Sequence, residues 1–409
     1  MVFTLVLWVG SSSLVVVNRI LYEQGQRRLV DIARQLTDPS LASLPPLERS
    51  PAIRAMLSRK SRRQVYRMIV STSFPIWVTE ICSAYALARW GLPRIVSDAS
   101  PARGRRKWTR ISALFALGHL RVAEAYDLLE AAVFDTDPDV ASAASVVLHR
   151  LGDRRAAEIL IAALQARSYS PSRLATQLDE FPVPIDDLLR PLLNSPVVDA
   201  RYWAVSLLFR YPGGMELVNE VAALTNDAHP TVRKAAVLTL GAMDGKRAIP
   251  VALRLLNDHT PFVRTAAIRA LSQRGALDEN TESRRTLAAH ITSSLADTAW
   301  EVRLAAKEAL VAFGPGVWRE VAEMLDSSDT FARNSAAEVL QNLGLIDRTI
   351  EEFGRGARPS AELLDVLGRA FREGGPAMVD AAIARSNPDL HPVVESLMTR
   401  LQFVASTSE

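Results

Sequence analysis

Two parts of the sequence carry residue types that could do chemistry: a glycine-rich stretch leading to a lysine, and six histidines. Gly241 to Lys246 approaches the P-loop, in which backbone N–H groups cradle phosphates while a lysine and a following hydroxyl reach the phosphates and Mg²⁺. The stretch is one residue too short, and Arg247 stands where the hydroxyl should be. The sequence also lacks GxSxG, HExxH and CxxC motifs. We therefore interpret Gly241 to Lys246 as a loop between helices.

The histidines do not form a recognisable metal site. Zinc sites need three or four converging nitrogen, sulfur or oxygen ligands. His229 and His259 stand close to Pro230 and Pro261 in two turns of similar sequence. The sequence therefore predicts turn residues at both histidines, and it predicts no bound metal, no cofactor and no catalytic residue.

A sequence repeat accounts for most of the chain, and repeats of 20 to 50 residues indicate a stacked architecture. The clearest copies are TVRKAAVLTLG from Thr231, FVRTAAIRALS from Phe262 and EVRLAAKEAL from Glu301. Every copy has an alanine three residues after a reference position and a leucine seven residues after it. The reference residues are Arg110, Ala141, Arg201, Arg233, Arg264, Arg303 and Arg333.

The spacing between reference residues is 31, 60, 32, 31, 39 and 30 residues. The spacing of 60 predicts one degenerate repeat around Pro171 to Phe181. The spacing of 39 predicts an insertion, and the polar stretch Asp278 to Arg285 is expected to be a longer loop.

The sequence of each repeat predicts two helices. The first is a segment such as Arg247 to Leu256, and the second carries the alanine and the leucine. Apolar residues three, four and seven positions after the reference residue (offsets 3, 4 and 7) form one stripe on a helix. The alanine has a physical reason, because a methyl group allows two helices to approach closely.

An aspartate precedes the reference residue by six positions at Asp135, Asp227, Asp258 and Asp297. In the turn before the second helix it could cap free backbone N–H groups. Because Arg233, Arg264 and Arg303 follow three of these aspartates, we expect a ladder of aspartate and arginine along the stack.

The aspartate in the turn, the Val232–Arg233, Val263–Arg264 and Val302–Arg303 pairs, and Pro250 inside a first helix resemble the HEAT-repeat family. The resemblance implies an all-α fold, a right-handed α-solenoid of HEAT-type helical hairpins in residues 75–345 whose second helices line the concave side. Residues 346–409 are expected to be degenerate capping helices.

Some HEAT-like proteins are enzymes, and two such alternatives bear on this sequence. HEAT-like DNA glycosylases place tryptophan and aspartate in a basic groove, and Asp199 and Trp203 lie one helical turn apart. Residues 1–110 carry 18 Lys+Arg against 6 Asp+Glu, a net charge of +12, which leaves −9 for the rest. An acidic body does not suit phosphate contacts, so we expect no nucleic-acid partner. A bilin lyase-like enzyme is supported by the repeat alone.

The basic charge follows an apolar stretch, Val2 to Tyr22, whose length suits one membrane span. The sequence therefore predicts a transmembrane anchor at residues 1–22 and basic juxtamembrane helices at 23–74, with Met68 to Ala88 as a less favoured second span. Basic residues after the anchor predict a single-pass protein of the inner membrane with its body in the cytoplasm. The single cysteine, Cys82, fits a reducing compartment.

Offsets 1, 5 and 8 of the second helices should face away from the core and form a groove. Apolar residues there give way to charged ones toward the C-terminus, which suits a protein segment. The predicted partner-binding residues are Ile111, Phe115, His149, Tyr202, Phe209, Lys234 and Leu238. The sequence as a whole predicts a membrane-tethered, non-catalytic scaffold that binds a protein partner. Alternatives are a HEAT-like enzyme or an accessory subunit of an envelope polysaccharide-synthesis complex.

Overall fold

The computed structural model describes residues 51, 54–70, 75–101, 107–166, 170–179, 181–277, 280–356, 359–385, 391–392 and 396. Within these ranges the chain forms helices joined by short turns, with no β-strand. The predicted all-helical fold is therefore confirmed. The chain divides into two compact units, Met1–Gly213 and Gly214–Glu409, called here the N-terminal and C-terminal units. The right-handed sense of the solenoid and the domain limits stay predictions.

The described part of the N-terminal unit includes one helix, Arg62–Ile69, that precedes the residues predicted to form repeats. Its helices are α1 (Arg62–Ile69), α2 (Ile76–Trp90), α3 (Leu92–Ala99), α4 (Lys107–Leu120), α5 (Glu124–Val133), α6 (Pro138–Leu151), α7 (Arg154–Ala166), α8 (Pro171–Leu178), α9 (Asp186–Leu189) and α10 (Val198–Leu208). The predicted degenerate repeat contains α8, whose Leu174, Ala175 and Leu178 are buried.

The C-terminal unit contains the most regular repeats. Its helices are α11 (Val218–Leu224), α12 (Pro230–Met243), α13 (Gly245–Leu255), α14 (Pro261–Leu277), α15 (Thr281–Thr292), α16 (Trp300–Ala312), α17 (Trp318–Ala322), α18 (Thr330–Asn342), α19 (Leu345–Gly354) and α20 (Ala361–Arg385). The second helices of its repeats are α12, α14, α16 and α18, and each packs on the next.

The alanine and leucine columns form the core, as the sequence predicts. Close packing of successive second helices leaves room for a methyl group only, and the leucines fill the space one turn further along. Every alanine is 0% exposed and no leucine exceeds 1%. The alanines are Ala113, Ala144, Ala204, Ala236, Ala267, Ala306 and Ala336, and the leucines are Leu117, Leu148, Leu208, Leu240, Leu271, Leu310 and Leu340.

Two predicted loops are wrong. Gly241 lies inside α12, and the only residue between α12 and α13 is Asp244, whose carboxylate accepts the N–H groups of Lys246 and Arg247 at 3.1 Å each. In the second predicted loop, residues 281–285 form the first turn of α15, which begins at Thr281. The side chain of Asn280 caps α15 by accepting the N–H groups of Glu282 and Ser283. Asp244 and Asn280 thus let α13 and α15 begin early, because each side chain caps the first turn of its helix.

The membrane prediction is also corrected. No helix in the described part of the chain is long and apolar enough to cross a membrane. The stretch Met68 to Ala88 contains the end of α1 and most of α2, and α2 buries Val78, Cys82 and Ala86 in the N-terminal unit. The predicted anchor, residues 1–22, lies outside the described residues. We therefore withdraw the single-pass inner-membrane localisation and the membrane as a partner.

The alanine column gives a test of the packing. Ala236→Leu or Ala267→Leu should lower the free energy of unfolding by about 1 to 3 kcal/mol, because three extra carbons must be forced into a filled contact. Thermal and urea melts of the purified protein measure the change. Ala242→Leu is the matched control, because Ala242 is exposed on the same helix as Ala236. Unchanged melting of both core variants would show that the column is not tightly packed.

Candidate protein-binding face

Arg233 ties two repeats of the C-terminal unit together. Its Nε and Nη2 donate to the two carboxylate oxygens of Asp258 at 2.8 and 2.9 Å. Its Nη1 donates to the backbone carbonyls of Asp227 and Ala228 at 3.0 and 3.1 Å. The side chains of Arg233 and Asp258 are 7% and 5% exposed, so the pair is buried. The predicted ladder is confirmed at this rung.

Arg264 repeats the same arrangement one step along. Its Nε and Nη2 each donate to Asp297 at 2.7 Å, and its Nη1 donates to the carbonyl of Asp258 at 2.7 Å. Arg303 keeps the hydrogen bond to the backbone carbonyl six residues earlier, donating to Asp297 at 2.7 Å. The corresponding residue of the next repeat is Ser327, which has no carboxylate. The carboxylate ladder therefore stops between α16 and α18.

The aspartates hold the turn ahead of each second helix, which refines the predicted capping role. Asp227, Asp258 and Asp297 each accept the N–H of the residue two positions later, at 2.8, 2.9 and 2.8 Å. Two of those residues, His229 and Ala299, are themselves the N-caps of α12 and α16. Each aspartate thus fixes the N-cap residue rather than the first turn of the helix.

The same second helices also expose large apolar side chains. Trp300 and Phe331, in the first turns of α16 and α18, are 66% and 65% exposed, and Phe262 and Leu304 are also exposed. A cation lies beside two of the rings, with Lys234 Nζ at 6.0 Å from the centre of Phe262 and the Arg303 guanidinium at 4.9 Å from that of Phe331. We call Phe262, Trp300, Leu304 and Phe331 the apolar rim.

A row of charged residues runs parallel to the apolar rim, about two helical turns along each second helix. On α16, Trp300, Leu304 and Glu308 are spaced four residues apart and so lie on one face. On α18, Glu338 occupies the position that corresponds to Glu308 and accepts a hydrogen bond from Lys307 at 2.7 Å. Glu308 and Glu338 are both exposed. We call these two residues the acidic rim.

Comparison with known proteins identifies the repeat. A family model described as HEAT repeats matches residues 102–178, 185–272 and 218–310. The chain contains HEAT repeats. No curated protein matches it.

Several solved structures resemble the fold of this HEAT-repeat chain. A structure of Kap95p with RanGDP is 15% identical, with 96% of this chain and 63% of that one covered and a TM-score of 0.48. A Kap121p mutant is 12% identical, with 95% and 53% covered and a TM-score of 0.42. An engineered protein is 15% identical, with 94% and 98% covered and a TM-score of 0.35.

The predicted binding residues of the N-terminal unit have different surroundings. Ile111 lies in α4 and is 2% exposed, so a docked partner could not touch it. Ile111 is therefore excluded from the candidate binding residues. Phe115 is half-buried under the Arg150 guanidinium, which lies 5.3 Å from its ring centre. His149 is half-buried, with Nδ1 2.6 Å from the carbonyl of Gln177.

Further along the N-terminal unit, Phe209 is 45% exposed and lies against the guanidinium of Arg210 at 4.7 Å. Tyr202 is half-buried, with its ring centre 4.8 Å from that of Trp203 in an edge-to-face contact. Trp203 thus packs on its neighbour, as expected for a structural residue. In the C-terminal unit, Lys234 is half-buried, and Leu238 is half-buried and packs against the core.

None of the four residues of the apolar rim is among the predicted binding residues, and three of them were missed because offsets were counted forward from the reference arginine. Phe262 and Phe331 lie two positions before it, and Trp300 lies three positions before it. Offset −3 is four residues before offset 1, so the period of the helix places it on the same face. Extending the pattern backward by one turn would have found them.

The nearest arrangement to a catalytic pair is Ser83 and His119, and its geometry is structural. The Ser83 hydroxyl donates to the carbonyl of Thr79 at 2.9 Å, so it can only accept from His119 Nδ1 at 3.1 Å. A histidine that donates to serine cannot remove its proton. Burial, together with the charge of Arg150, lowers the pKa of His119 to about 4. Among the described residues, no group of histidine, cysteine, aspartate and glutamate could hold a metal ion.

The Arg233–Asp258 pair gives a stability test. Asp258→Asn should lower the free energy of unfolding by about 3 to 5 kcal/mol, because it leaves a buried guanidinium without its counter-charge. Denaturant melts measure the change. Glu362→Gln is the matched control: it breaks the exposed pair with Arg319, whose side chains are both 54% exposed, and should not change the midpoint. Equal effects of the two substitutions would contradict a structural ladder.

The same pair predicts a pH dependence. Burial would raise the pKa of Asp258, but the hydrogen bonds and charge of Arg233 and the N–H of Thr260 hold it below 3.8. A carboxylate with a depressed pKa stabilises the fold above its unfolded pKa and loses that contribution as pH falls through the folded pKa. The stability difference between wild type and Asp258→Asn should therefore shrink below about pH 4. A constant difference from pH 7 to pH 2 would contradict the assignment.

Proposed function

We propose that this chain is a non-catalytic HEAT-repeat scaffold that binds a protein partner on the exposed face of its second helices. The observation that carries the proposal is the apolar rim of the C-terminal unit. Three successive second helices, α14, α16 and α18, each expose a large apolar side chain at the same end. Single exposed apolar residues are common, whereas a continuous row is typical of an interaction site.

The composition of the rim favours a protein. Tryptophan and other aromatic side chains supply much of the binding energy at protein interfaces. The C-terminal unit carries 21 Lys+Arg against 26 Asp+Glu, a net charge of −5, counted over residues 214–409. A nucleic-acid site would need an excess of basic side chains to neutralise phosphates. The charge therefore supports a protein over a nucleic acid at this unit.

The residues predicted from the sequence extend the proposal. In the C-terminal unit, Lys234 lies beside Phe262 of the apolar rim, and Leu238 lies on the same helix face one turn further along. In the N-terminal unit, Phe209 offers the most accessible apolar surface, while Phe115, His149 and Tyr202 are half-buried. We propose that Phe209 is an additional contact for the partner.

The proposal is tested by removing the apolar rim. The combined variant Trp300→Ser, Leu304→Ser and Phe331→Ser should abolish recovery of bound proteins from a lysate of the source cells, measured by quantitative mass spectrometry. Because these side chains are exposed, its helical content and melting temperature should match those of wild type. Ile76→Ser is the matched control, since Ile76 is 61% exposed in the N-terminal unit.

A second variant, Tyr202→Ser with Phe209→Ser and Leu238→Ser, tests the residues predicted from the sequence. It should weaken recovery of the same proteins to a smaller degree, because two of the three side chains are half-buried. If both variants fold and retain every partner, the binding surface lies elsewhere. If the rim variant unfolds, its residues belong to the core and the proposal fails.

A further inference from the structure

We infer that the partner segment which occupies the C-terminal unit is an amphipathic α-helix that lies across α14, α16 and α18, with an apolar stripe and a flank that is basic over α16 and α18. This inference rests on the proposed function and specifies its ligand. The apolar rim would receive the stripe, and the acidic rim would receive the basic flank. The width between the rims, the spacing of the repeats and the distribution of charge support it.

The width of the face fits a helix. Trp300 and Glu308 are eight residues apart on α16, which corresponds to about 12 Å along the helix axis. An α-helix with its side chains is about 10–12 Å across. A partner helix lying crosswise over α16 would therefore place one flank against Trp300 and the other against Glu308. Leu304, between them, would lie beneath the partner helix.

The spacing of the repeats also fits a helix better than an extended strand. Packed helices lie about 8–10 Å apart, so equivalent side chains of α16 and α18 recur at that distance. In a helix, residues seven apart share a face and are about 10.5 Å apart. In a strand, residues on one side recur at about 6.6 or 13 Å, which does not match. Anchors at positions i and i+7 of a helix can thus contact Trp300 and Phe331 together.

The exposed carboxylates of α16 and α18 favour a basic flank on the partner helix. Glu308 is exposed and forms no ion pair with any described residue, and Glu338, also exposed, has only Lys307 as a salt-bridge partner in that part of the chain. Glu301, beside the apolar rim, adds a further negative charge to α16. Lysine or arginine on the partner would neutralise these carboxylates, and complementary charges fix register and speed association.

The charge changes sign at the next helix, which gives the partner helix a direction. Arg269 on α14 is exposed and occupies the position that corresponds to Glu308 and Glu338. The partner should therefore carry an acidic residue over α14 and basic residues over α16 and α18. Acidic residues stabilise helix N-termini and basic residues stabilise C-termini. The partner helix should thus run from α14 toward α18.

The test uses a fluorescein-labelled synthetic peptide of about 21 residues, long enough to cross three repeats. It has leucine at the i, i+3, i+4 and i+7 positions of one stripe, glutamate in its first turn and lysine along the remaining flank. Fluorescence anisotropy should show saturable binding to the full-length protein and at least about tenfold weaker binding of a scrambled peptide with the same composition. A peptide with the charge order reversed should also bind more weakly.

A charge exchange separates specific docking from general attraction. Glu308→Lys with Glu338→Lys should weaken binding of the lysine peptide by about tenfold and should strengthen binding of a peptide whose flank carries glutamate instead. Glu323→Lys is the matched control, since Glu323 is exposed in the segment after α17 and should leave both affinities unchanged. Restored binding by the exchanged pair cannot arise from loss of folding.

The outcomes distinguish the inference from the proposed function. If the peptide does not bind, or binds equally to the Trp300, Leu304 and Phe331 serine variant, the helical occupant is wrong. If that variant nevertheless loses its cellular partners, the scaffold function stands and the rim receives a segment of another kind. If the variant retains its partners and the peptide still depends on Trp300, the peptide site is real but is not where those partners bind.

Discussion

Close contact between successive second helices at the alanine column is the constraint on which the rest of the structure depends. The methyl groups of Ala236, Ala267 and Ala306 are fully buried, and they set how near one repeat lies to the next. That distance brings the turn aspartates within reach of the arginines of the preceding repeat. It also aligns the exposed sides of the helices, so that side chains such as Trp300 and Phe331 form a row. Core packing and the candidate face are therefore two consequences of the same register.

The buried polar groups are arranged around this contact. Arg233 and Arg264 each satisfy several donors at once, with a carboxylate from the following repeat and a carbonyl from their own turn. A buried charge without such partners would be costly, so each rung requires both repeats to be folded. In repeat proteins stability depends on nearest-neighbour interfaces. The ladder thus couples each repeat of the C-terminal unit to the next.

The sequence predicted those parts of the fold that repeat and missed those that do not. The alanine and leucine columns specified the core because the same packing problem recurs in each repeat. Ile111 was wrongly assigned to the surface: it is buried in α4, which packs on helices that precede the repeat pattern as well as on the next repeat. Residues 281–285 were wrongly assigned to a loop because Asn280 caps a helix that composition alone did not indicate. The apolar rim was missed because Trp300 precedes the reference residue.

The end of the carboxylate ladder at Ser327 has a mechanical consequence. Between α14 and the turn before α16, Arg264 holds Asp297 with two short hydrogen bonds, whereas the junction from α16 to α18 has the partly exposed pair of Lys307 and Glu338. A pulling force along the stack would meet less resistance at this junction than at the preceding one. Under such a force, the C-terminal unit should therefore extend first between α16 and α18.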